Sequence, residues 1–545
     1  MNSIYYRNYW GLFADFVEAF ENLTYRNIPL ALVGNFQSYL TNKAIREVMK
    51  SETLTPYIKN QFQHSDEIQP FFDRYLKLPT YRNKGNNKGK TLILQGKSDH
   101  LRFPIETFLE YFHPTKCIFL HPQKEITNNF IRQNIGHVHY LDDYKSSDIT
   151  SAKIIEKANG ILEKFKKHPV FSHEIFKGRF LDTIPKIIEL IIAFEEYLKK
   201  VPVSCLIVGN TNGVYTRTLT QVAALKGIPS ICTQHGIIAN EIGFLPIFAT
   251  KHAVFGEYEK DWYITRGVKE DRIEITGHPR FDRIFTHHPI SRSNFLSKFN
   301  IYPNKKIVLI ATNAIQNKAV LQLLVEKLML NPNIEIILKP HPKEILRNKI
   351  KQYQQIASIS KSVHLSTKME LNDLLENVDV VVQQLSTVAI EAMLFNKPVF
   401  FMKDRTNYNM DDQYYFEKIG ESAYENPEDL AEKINEYFRS ELYRKIYIQK
   451  LREFKNYSYP EMFAGKNIAN TVYKLTGTFP YQAPESNFEG KLIKDSNNRI
   501  YLIENGMKRS IHSNVLNSIT KPQEILLVKE SKISRIPHGL KIQSL

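Results

Sequence analysis

Short apolar segments alternate with amphipathic segments through most of the chain, and this alternation predicts its architecture. A first series runs TLILQG, FPIETFLEYF, KCIFLHP, SCLIVGN, TRTLTQVAALKG and PSICTQHG. A second series begins at Lys305 with KKIVLIATN and continues through NIEIILKPHP, SVHLST, VDVVVQQLS and KPVFFM. Strands and helices that alternate at this spacing are typical of βαβ units with parallel sheets. The sequence therefore predicts an α/β fold with two doubly wound, Rossmann-like domains that meet near residue 290.

The flanking segments have different patterns. The first 80 residues show apolar spacing near 3.6 and many aromatics, which predicts helices, and the Gly/Asn/Lys-rich segment 81–90 is a predicted loop. Near the carboxyl end, two short alternating runs joined by Asp-Ser-Asn-Asn and followed by Asn-Gly predict a small, separate β-rich module. The predicted segments are a helical region 1–88, a first α/β domain 89–288, a second α/β domain 289–475, a linker 476–488 and the β-rich module 489–545.

Charge narrows the choice of partners. The formal net charge is +16 and the pI is about 9.3, which admits nucleic acid, an anionic membrane surface or a polyanionic substrate. The lysines are spread along the whole chain and no nucleic-acid-binding motif is recognisable, so we expect no nucleic-acid partner. The charge is still compatible with an anionic lipid surface or a glycan as a partner.

The cysteines and the N-terminal sequence indicate the cellular compartment of the protein. Cys117, Cys205 and Cys232 each lie in an apolar run without the spacing of a metal site, which predicts buried thiols. Acidic residues interrupt the first 21 residues, where a signal peptide would need an apolar core. We expect a cytoplasmic protein, at most peripheral at the inner face of a membrane.

The segment TQHG follows a predicted strand of the first domain. His235 would face a cleft at the carboxyl end of that strand, and Gly236 would allow a substrate to come close. An imidazole placed there can act as a general base toward an acceptor hydroxyl. The alternative is a loop histidine that hydrogen-bonds to backbone.

Two segments of the second domain combine hydroxyls and positive charge. Lys339 and His341 follow the strand NIEIIL between prolines, and supply donors for a diphosphate; the alternative is a stiff turn with exposed charges. Ser386 and Thr387 stand before a predicted helix, whose first N–H groups favour a phosphate. Glu391, one turn further, could accept hydrogen bonds from a ribose. An ordinary capped helix is the alternative for this segment.

Weaker candidates follow two further strands. Thr312 and Asn313 follow the first strand of the second domain and could contact a phosphate. In TGHPRFD, His278 and Arg280 could contact an acceptor or line the cleft, whereas Asp282 favours a structural role. All candidates lie at the carboxyl ends of predicted strands, where open α/β sheets bind ligands.

From about residue 200 to 405 the chain resembles the GT-B superfamily of nucleotide-sugar glycosyltransferases, especially bacterial surface-glycan enzymes related to capsule transferases, polysialyltransferase-like proteins and CDP-glycerol glycerophosphotransferases. The matched motifs are His-Gly at 235–236, TGHPRFD at 276–282, KPHP at 339–342 and the segment 386–391. The resemblance implies an acceptor-binding first domain and a donor-binding second domain. It also implies donor phosphates on His341, Ser386 and Thr387, ribose on Glu391, and catalysis or acceptor contact by His235.

The resemblance implies a metal-independent glycosyltransferase without a cofactor. A sugar would pass from a nucleotide-activated donor to a bacterial surface-glycan or protein-linked acceptor. Three alternatives stay open: CDP-glycerol-dependent glycerophosphate transfer, a non-catalytic nucleotide- or glycan-binding scaffold, and a nucleotide-sugar epimerase. TGHPRFD also resembles a segment of such epimerases, but a cluster of carboxylates and arginine for the sugar ring is not evident. The C-terminal module resembles short β-repeat modules of bacterial cell-surface proteins.

Overall fold

The predicted fold class is confirmed by a computed structural model of the chain. The structure describes residues 4–79, 89–94, 101, 103–112, 116–123, 138–146, 150–238, 240–285, 290–312, 317–346, 350–384, 386–402, 423–459, 463–478, 480, 488, 490–504, 507–511, 525–529 and 533. Most of the predicted loop 81–90, Asn313, most of the predicted linker and the Asn505-Gly506 turn lie outside these residues.

The N-terminal region is mainly helical, as predicted. Its elements are α1 Ile4–Ala19, β1 Thr24–Tyr25, β2 Ile28–Pro29, α2 Leu30–Val33, α3 Phe36–Tyr39, α4 Lys43–Met49, short 3-10 helices at Glu52–Tyr57 and Ser65–Glu67, and α5 Ile68–Asp73. Trp10, Phe13 and Phe16 of α1 are fully buried, and the Phe13 ring stacks on Phe36 with centroids 4.8 Å apart. The aromatic spacing of the sequence therefore forms a core, in line with the large apolar area that such rings bury.

A seven-stranded parallel sheet follows, in the order β5-β4-β3-β6-β7-β8-β9. Its elements are β3 Lys90–Leu94, α6 Ile105–Tyr111, β4 Cys117–His121, β5 Val138–Tyr140, a 3-10 helix Leu141–Tyr144, α7 Ala152–Leu162, a 3-10 helix Glu163–Phe165, α8 Glu174–Lys200, β6 Val203–Val208, α9 Val214–Leu225, β7 Ser230–Thr233, β8 Lys251–Val254, α10 Glu257–Ile264, and 3-10 helices Glu270–Arg272 and Pro279–Phe285 around β9 Ile273–Ile275. The run VSCLIV of β6 is buried throughout, as expected of a strand covered on both faces. The three cysteines are buried and free, as predicted.

A second parallel sheet has the order β12-β11-β10-β13-β14-β15. Its elements are α11 Arg292–Phe299, β10 Lys306–Ala311, α12 Lys318–Leu328, β11 Ile334–Lys339, α13 Pro342–Leu346, α14 Lys351–Ala357, β12 Val363–Leu365, α15 Leu371–Asn377, β13 Val380–Gln383, α16 Val388–Leu394, β14 Val399–Met402, β15 Ala423–Tyr424, α17 Pro427–Arg439 and α18 Glu441–Ser458. The strand order changes direction between β10 and β13. Open α/β sheets bind ligands at such a switch point.

The chain divides into two compact units. Unit 1 comprises Met1–His235, Ile242–Thr286 and Glu461–Leu545, and unit 2 comprises Gly236–Glu241 and His287–Pro460. The predicted second domain extends to residue 475, but α19, Ala464–Thr476, belongs to unit 1. Its side chains Ile468, Ala469 and Val472 join the core that contains β3, β4 and β6.

Asp282 holds the start of α19. Its carboxylate is fully buried and accepts the N–H groups of Ala464 and Gly465, both at 2.9 Å. Gly465 leaves no room for a side chain, because a Cβ there would lie 2.2 Å from Thr107 and 2.8 Å from Tyr111. Asp282 thus has the structural role that the sequence favoured.

The C-terminal segment forms a four-stranded sheet in the order β18-β17-β16-β19, with β16 Leu492–Lys494, β17 Ile500–Glu504, β18 Met507–Ser510 and β19 Leu526–Leu527. Asp495 shapes the predicted turn, since its side chain accepts the N–H groups of Asn497 and Arg499. Arg509 of β18 forms a buried ion pair with Glu110 of α6, so the module contacts the α/β part of unit 1, to which it belongs. None of the described helices combines the length and apolar character that a membrane span requires.

Candidate functional site

Three strand ends of unit 2 lie side by side. Ala311 of β10 pairs with Lys339 of β11 on one side and with Gln383 of β13 on the other. Neighbouring strands are about 4.8 Å apart, so these three positions fall within about 10 Å along one edge of the sheet. The candidates that follow them, from Thr312, Lys339 and Gln384 onward, therefore emerge together at the switch point.

Lys339 is half-buried at the end of β11. Its ammonium group donates to the carbonyl oxygen of Met369 at 2.6 Å, and burial lowers the pKa of this lysine. One of its three protons is used by the protein, and the other two suit an anion. Lys339 is thus a cation held in place by a backbone carbonyl.

The KPHP segment ends in a helix. Pro342 is the first residue of α13, and the Glu344 carboxylate accepts the His341 N–H at 3.1 Å, which is half of a capping box. Pro342 therefore belongs to a helix start, where the sequence suggested only a stiff loop. His341 itself is half-buried at this turn.

Thr312 is tied to the same carboxylate. Glu344 is buried and also accepts the Thr312 hydroxyl at 3.1 Å and the Tyr353 hydroxyl at 2.6 Å. A hydroxyl has one proton, and Thr312 donates it to Glu344. This arrangement favours a structural role for Thr312 over the predicted phosphate contact, while Asn313 lies outside the described residues.

Ser386 and Thr387 precede α16 at the end of β13. Both are half-buried, and the Ser386 hydroxyl oxygen accepts the Val388 N–H at 3.4 Å while its carbonyl accepts the Ala389 N–H at 3.1 Å. Two of the N–H groups that we expected to be open to a phosphate are therefore used locally. The Ser386 hydroxyl still carries a proton that it can donate, and Glu391 lies half-buried one turn further along α16.

In unit 1, the strands β7, β8 and β9 also end at one edge. The register pairs Thr233 with Ala253 and Val254 with Ile275. His235, the start of α10 and the TGHPRFD segment therefore follow neighbouring strands. The His235 ring is half-buried and stacks on Phe244, with centroids 4.7 Å apart and planes 10° apart.

Gly236 is less constrained than we expected. A Cβ built on it meets no atom of the described residues within 4 Å, and its backbone does not adopt a left-handed conformation. The structure therefore gives no steric reason for glycine at this position.

Backbone conformation, burial and a hydrogen bond hold the TGHPRFD segment in place. Gly277 has φ of 71°, which favours glycine, and His278 is 1% exposed with its Nδ1 accepting the Arg280 N–H at 3.1 Å. Arg280 is half-buried and lies over the Phe281 ring at 4.8 Å. An acceptor contact by His278 would require this segment to move, so Arg280 is the better ligand candidate of the two.

Two buried carboxyl groups support this edge, and the sequence did not single them out as such. Burial raises the pKa of Glu259 to about 8 and also raises the pKa of Asp282 to about 8, against the N–H groups that each accepts. Each stands in a segment with other charges, EYEKD and PRFDR, without a signal of burial. Strongly shifted carboxyl groups are frequent at functional sites.

Residues 256–474 match the family model of CDP-Glycerol:Poly(glycerophosphate) glycerophosphotransferase. The match covers less than half of the chain. It includes the candidates of unit 2 and the segment TGHPRFD, and it begins after His235 and Gly236. It supports a transferase activity. No curated protein matches the chain.

Solved structures resemble the chain only distantly. The S. aureus MnaA–UDP co-structure has a TM-score of 0.46 at 12% identity and covers 71% of this chain and 97% of its own. UDP-GlcNAc 2-epimerase from Neisseria meningitidis bound to UDP-GlcNAc has a TM-score of 0.47 at 15% identity, with coverages of 71% and 100%. A glycosyltransferase from Rickettsia africae ESF-5 has a TM-score of 0.42 at 12% identity, with coverages of 71% and 99%. Similarities this distant do not assign a ligand or an activity.

Among the described residues, no group of three or more His, Cys, Asp or Glu side chains is arranged to hold a metal ion.

Proposed function

We propose that this chain is a transferase that takes a group from a nucleotide-activated donor and passes it to a hydroxyl of a surface-glycan or protein-linked acceptor. The observation that carries the proposal is the alignment of Ala311, Lys339 and Gln383 at one edge of unit 2. Lys339, His341, Ser386 and Thr387 follow these positions or lie on them, and they offer positive charge and hydroxyl donors to a phosphate. The family match over residues 256–474 supports the same reaction class.

Unit 2 would bind the donor. In the proposed reaction, negative charge grows on the donor phosphate as its bond to the transferred group breaks. Lys339 and His341 would offset this charge, and the Ser386 and Thr387 hydroxyls would donate to the phosphate oxygens. Glu391 would accept from the ribose hydroxyls.

Unit 1 would supply the base. The acceptor hydroxyl forms the new bond through its oxygen, and its proton passes to the imidazole of His235. Stacking on Phe244 fixes the plane of that imidazole, which reduces the entropy lost on reaching a reactive orientation. Arg280 would contact the acceptor.

The transferred group distinguishes two versions. Transfer of a sugar breaks the bond between its anomeric carbon and the phosphate oxygen, so a nucleoside diphosphate leaves from a diphosphate donor. Transfer of glycerol phosphate from CDP-glycerol breaks the bond between the two phosphates, so CMP leaves. Sugar transfer follows from the sequence resemblance, whereas the family match specifically favours glycerol phosphate as the second candidate.

A thermal-shift panel tests the donor site first. UDP, CDP, GDP, CMP and CDP-glycerol are compared on the wild type, on His341→Ala and on a control, Lys361→Ala, which alters an exposed lysine of the same unit. We expect one nucleotide to raise the melting temperature by several degrees, and His341→Ala alone to lose the effect. If none of the nucleotides shifts the melting temperature, the proposed donor site is wrong and the scaffold hypothesis gains.

Product analysis then separates the reaction types. Labelled UDP-sugars and CDP-glycerol are incubated with and without an acceptor glycan, and the released nucleotide is identified. Acceptor-dependent release of a diphosphate supports sugar transfer, and release of CMP from CDP-glycerol supports glycerophosphate transfer. Conversion of a nucleotide sugar without an acceptor would show the epimerase instead.

A further inference from the structure

The loops that precede three neighbouring strands of unit 2 each carry an exposed apolar side chain. Tyr302 precedes β10 and is 71% exposed, Leu330 precedes β11 and is 78% exposed, and Ile359 precedes β12 and is 44% exposed. Single exposed apolar side chains are common, but a group of them indicates an interaction surface. The three loops are residues 300–305, 329–333 and 358–362.

These loops lie side by side at one edge of the sheet. The first residues of β10 and β11 pair with each other, and β12 pairs with β11 two residues further on. The Lys306 N–H donates to the carbonyl of Asn333 at 2.8 Å, and the Ile336 N–H donates to the carbonyl of Ser362 at 2.9 Å. Neighbouring strands are about 4.8 Å apart, so the loops fall within about 10 Å across the strands. Together with Lys306 they form what we call the amino edge of unit 2.

The charge of the amino edge is positive. It contains Lys305, Lys306 and Lys361, and its sequence includes no Asp or Glu. Lys306 and Lys361 are exposed, while Lys305 donates to a carbonyl oxygen of the neighbouring loop and keeps its charge. Asp379, directly before the next strand β13, already pairs with Arg292. The amino edge therefore combines apolar side chains with lysines and has no carboxylate of its own.

This combination fits the surface of an anionic bilayer. Leucine, isoleucine and tyrosine can enter the boundary between headgroups and acyl chains, and lysines attract the anionic headgroups. A second copy of the chain, docked symmetrically through the same edge, would place lysines against lysines. Charge and apolar surface together therefore favour a membrane over a symmetric dimer.

We propose that the amino edge of unit 2 docks this protein on an anionic membrane surface. The candidate phosphate ligands follow the opposite ends of these strands, and β10, with six residues, is about 20 Å long. A nucleotide-activated donor can therefore reach unit 2 from the aqueous side while the amino edge contacts the bilayer. The inference does not depend on the proposed reaction, because membrane binding is measured without a donor.

Vesicle co-sedimentation tests the docking. The full-length chain is mixed with phosphatidylcholine vesicles that contain either no phosphatidylglycerol or about 30% of it, which gives the vesicles a negative surface potential. We expect binding to the anionic vesicles to be stronger by about tenfold or more. It should weaken when NaCl rises from about 0.1 to about 0.5 M, because salt screens the lysines. Failure to bind the anionic vesicles would overturn the inference.

Substitutions separate docking through this edge from the general positive charge of the chain. Leu330→Ser should weaken binding by about tenfold, the lower end of what burial of a leucine contributes, and Lys306→Gln by about fivefold. The matched control is Leu346→Ser, since Leu346 is 86% exposed and lies at the end of α13, which follows β11 at the opposite edge.

The variants should fold, because the substituted side chains are exposed. Thermal unfolding checks this, and Tyr302→Ser replaces Leu330→Ser if the latter is unstable. If the double variant Leu330→Ser/Lys306→Gln binds anionic vesicles as tightly as the wild type, the net charge of +16 acts without a defined surface and the inference is wrong.

A fluorescent label locates the contact. Asn304→Cys places a thiol on the exposed loop beside Tyr302 for an environment-sensitive dye, and the three native cysteines are buried. Its emission should rise and shift to the blue on anionic vesicles, whereas the same dye on Leu346→Cys should not respond. A dye at residue 304 that does not respond to bound vesicles would place the contact elsewhere. A dimer that Leu330→Ser dissociates, in a chain that binds no vesicles, would assign the edge to a second copy. Either result would overturn the inference.

Discussion

The two units place polar candidates at the carboxyl edges of parallel sheets, but they support them in different ways. In unit 1 the supporting groups are buried and bonded to one another or to backbone, as shown by Glu259, His278 and Asp282. In unit 2 one buried carboxylate, Glu344, accepts from Thr312 and from the start of α13, while the candidates Lys339, Ser386 and Thr387 are half-buried, as His235 is in unit 1. The difference suggests a more extensively prearranged edge in unit 1, suited to a base, than in unit 2, where half-buried donors suit a phosphate.

Removing the proposed base tests this division most strongly. His235→Ala should lower turnover by about 10²- to 10⁴-fold, the usual contribution of a general base. Binding of the donor nucleotide should not change, because the proposed phosphate ligands lie in unit 2. Titration calorimetry and initial rates measure the two effects. A loss of nucleotide affinity in this variant would contradict the division between the units.

The second prediction concerns the buried ion pair between Arg509 and Glu110 in unit 1. Arg509→Met leaves Glu110 buried without its counter-ion, which should cost about 3 to 5 kcal/mol of stability. Adding Glu110→Gln should recover much of this loss because no uncompensated charge remains. Thermal unfolding measures both. The control is Lys166→Met, which breaks an ion pair with Glu163 in the same unit. It should have little effect on stability, because the Lys166 side chain is 72% exposed.

The third prediction concerns the edge of unit 2. Lys339→Met removes one charged donor and should weaken nucleotide binding by about tenfold or more, as expected for a hydrogen bond to a charged group. Stability should change little, since within the described part of unit 2 the lysine bonds one carbonyl, that of Met369. Calorimetric titration of the nucleotide gives the affinity. Equal affinity in the two proteins would remove Lys339 from the proposed site.

The fourth prediction is a pH dependence of unit 1. Burial raises the pKa of Glu259 in the folded protein to about 8, from an ordinary value of 4.5. Its stabilising effect is therefore complete below pH 4.5 and is lost as the pH rises through 8, by at most about 1.4 kcal/mol per pH unit. Tyr263, one turn further along α10, is a titratable group that interacts with it.

Glu259→Gln does not titrate, so it isolates this contribution. Thermal unfolding at pH 5 to 9 should show the wild type losing stability relative to the variant as the pH rises. A difference that stays constant over this range would mean that the carboxyl group ionises normally in the fold.

The smallest expected effect separates support from binding within unit 2. Thr312→Val removes one of the three donors to Glu344 and should cost about 1 kcal/mol of stability. Nucleotide affinity should be unchanged if Thr312 acts only through Glu344. Reduced affinity would restore the phosphate contact predicted from the sequence.

Apolar periodicity predicted the fold because strands such as VSCLIV and KIVLIA consist mainly of apolar residues, and these residues are buried in the structure. The positions of the candidate residues at strand ends could also be predicted, since parallel strands end at a common edge. Contacts between distant parts of the chain could not be predicted. An amphipathic helix at 464–476 does not indicate which unit it joins, and Glu259 looks like any acidic residue in the first turn of a helix.

The position of α19 also orders events during synthesis. Unit 1 needs residues from 464 onward, but unit 2 lies between them and Thr286. At about 5 to 20 residues per second, the ribosome would need roughly 10 to 35 s to cross that insert. During this time Asp282 lacks the N–H groups of Ala464 and Gly465. Unit 2 can therefore become native while unit 1, although begun first, is completed last.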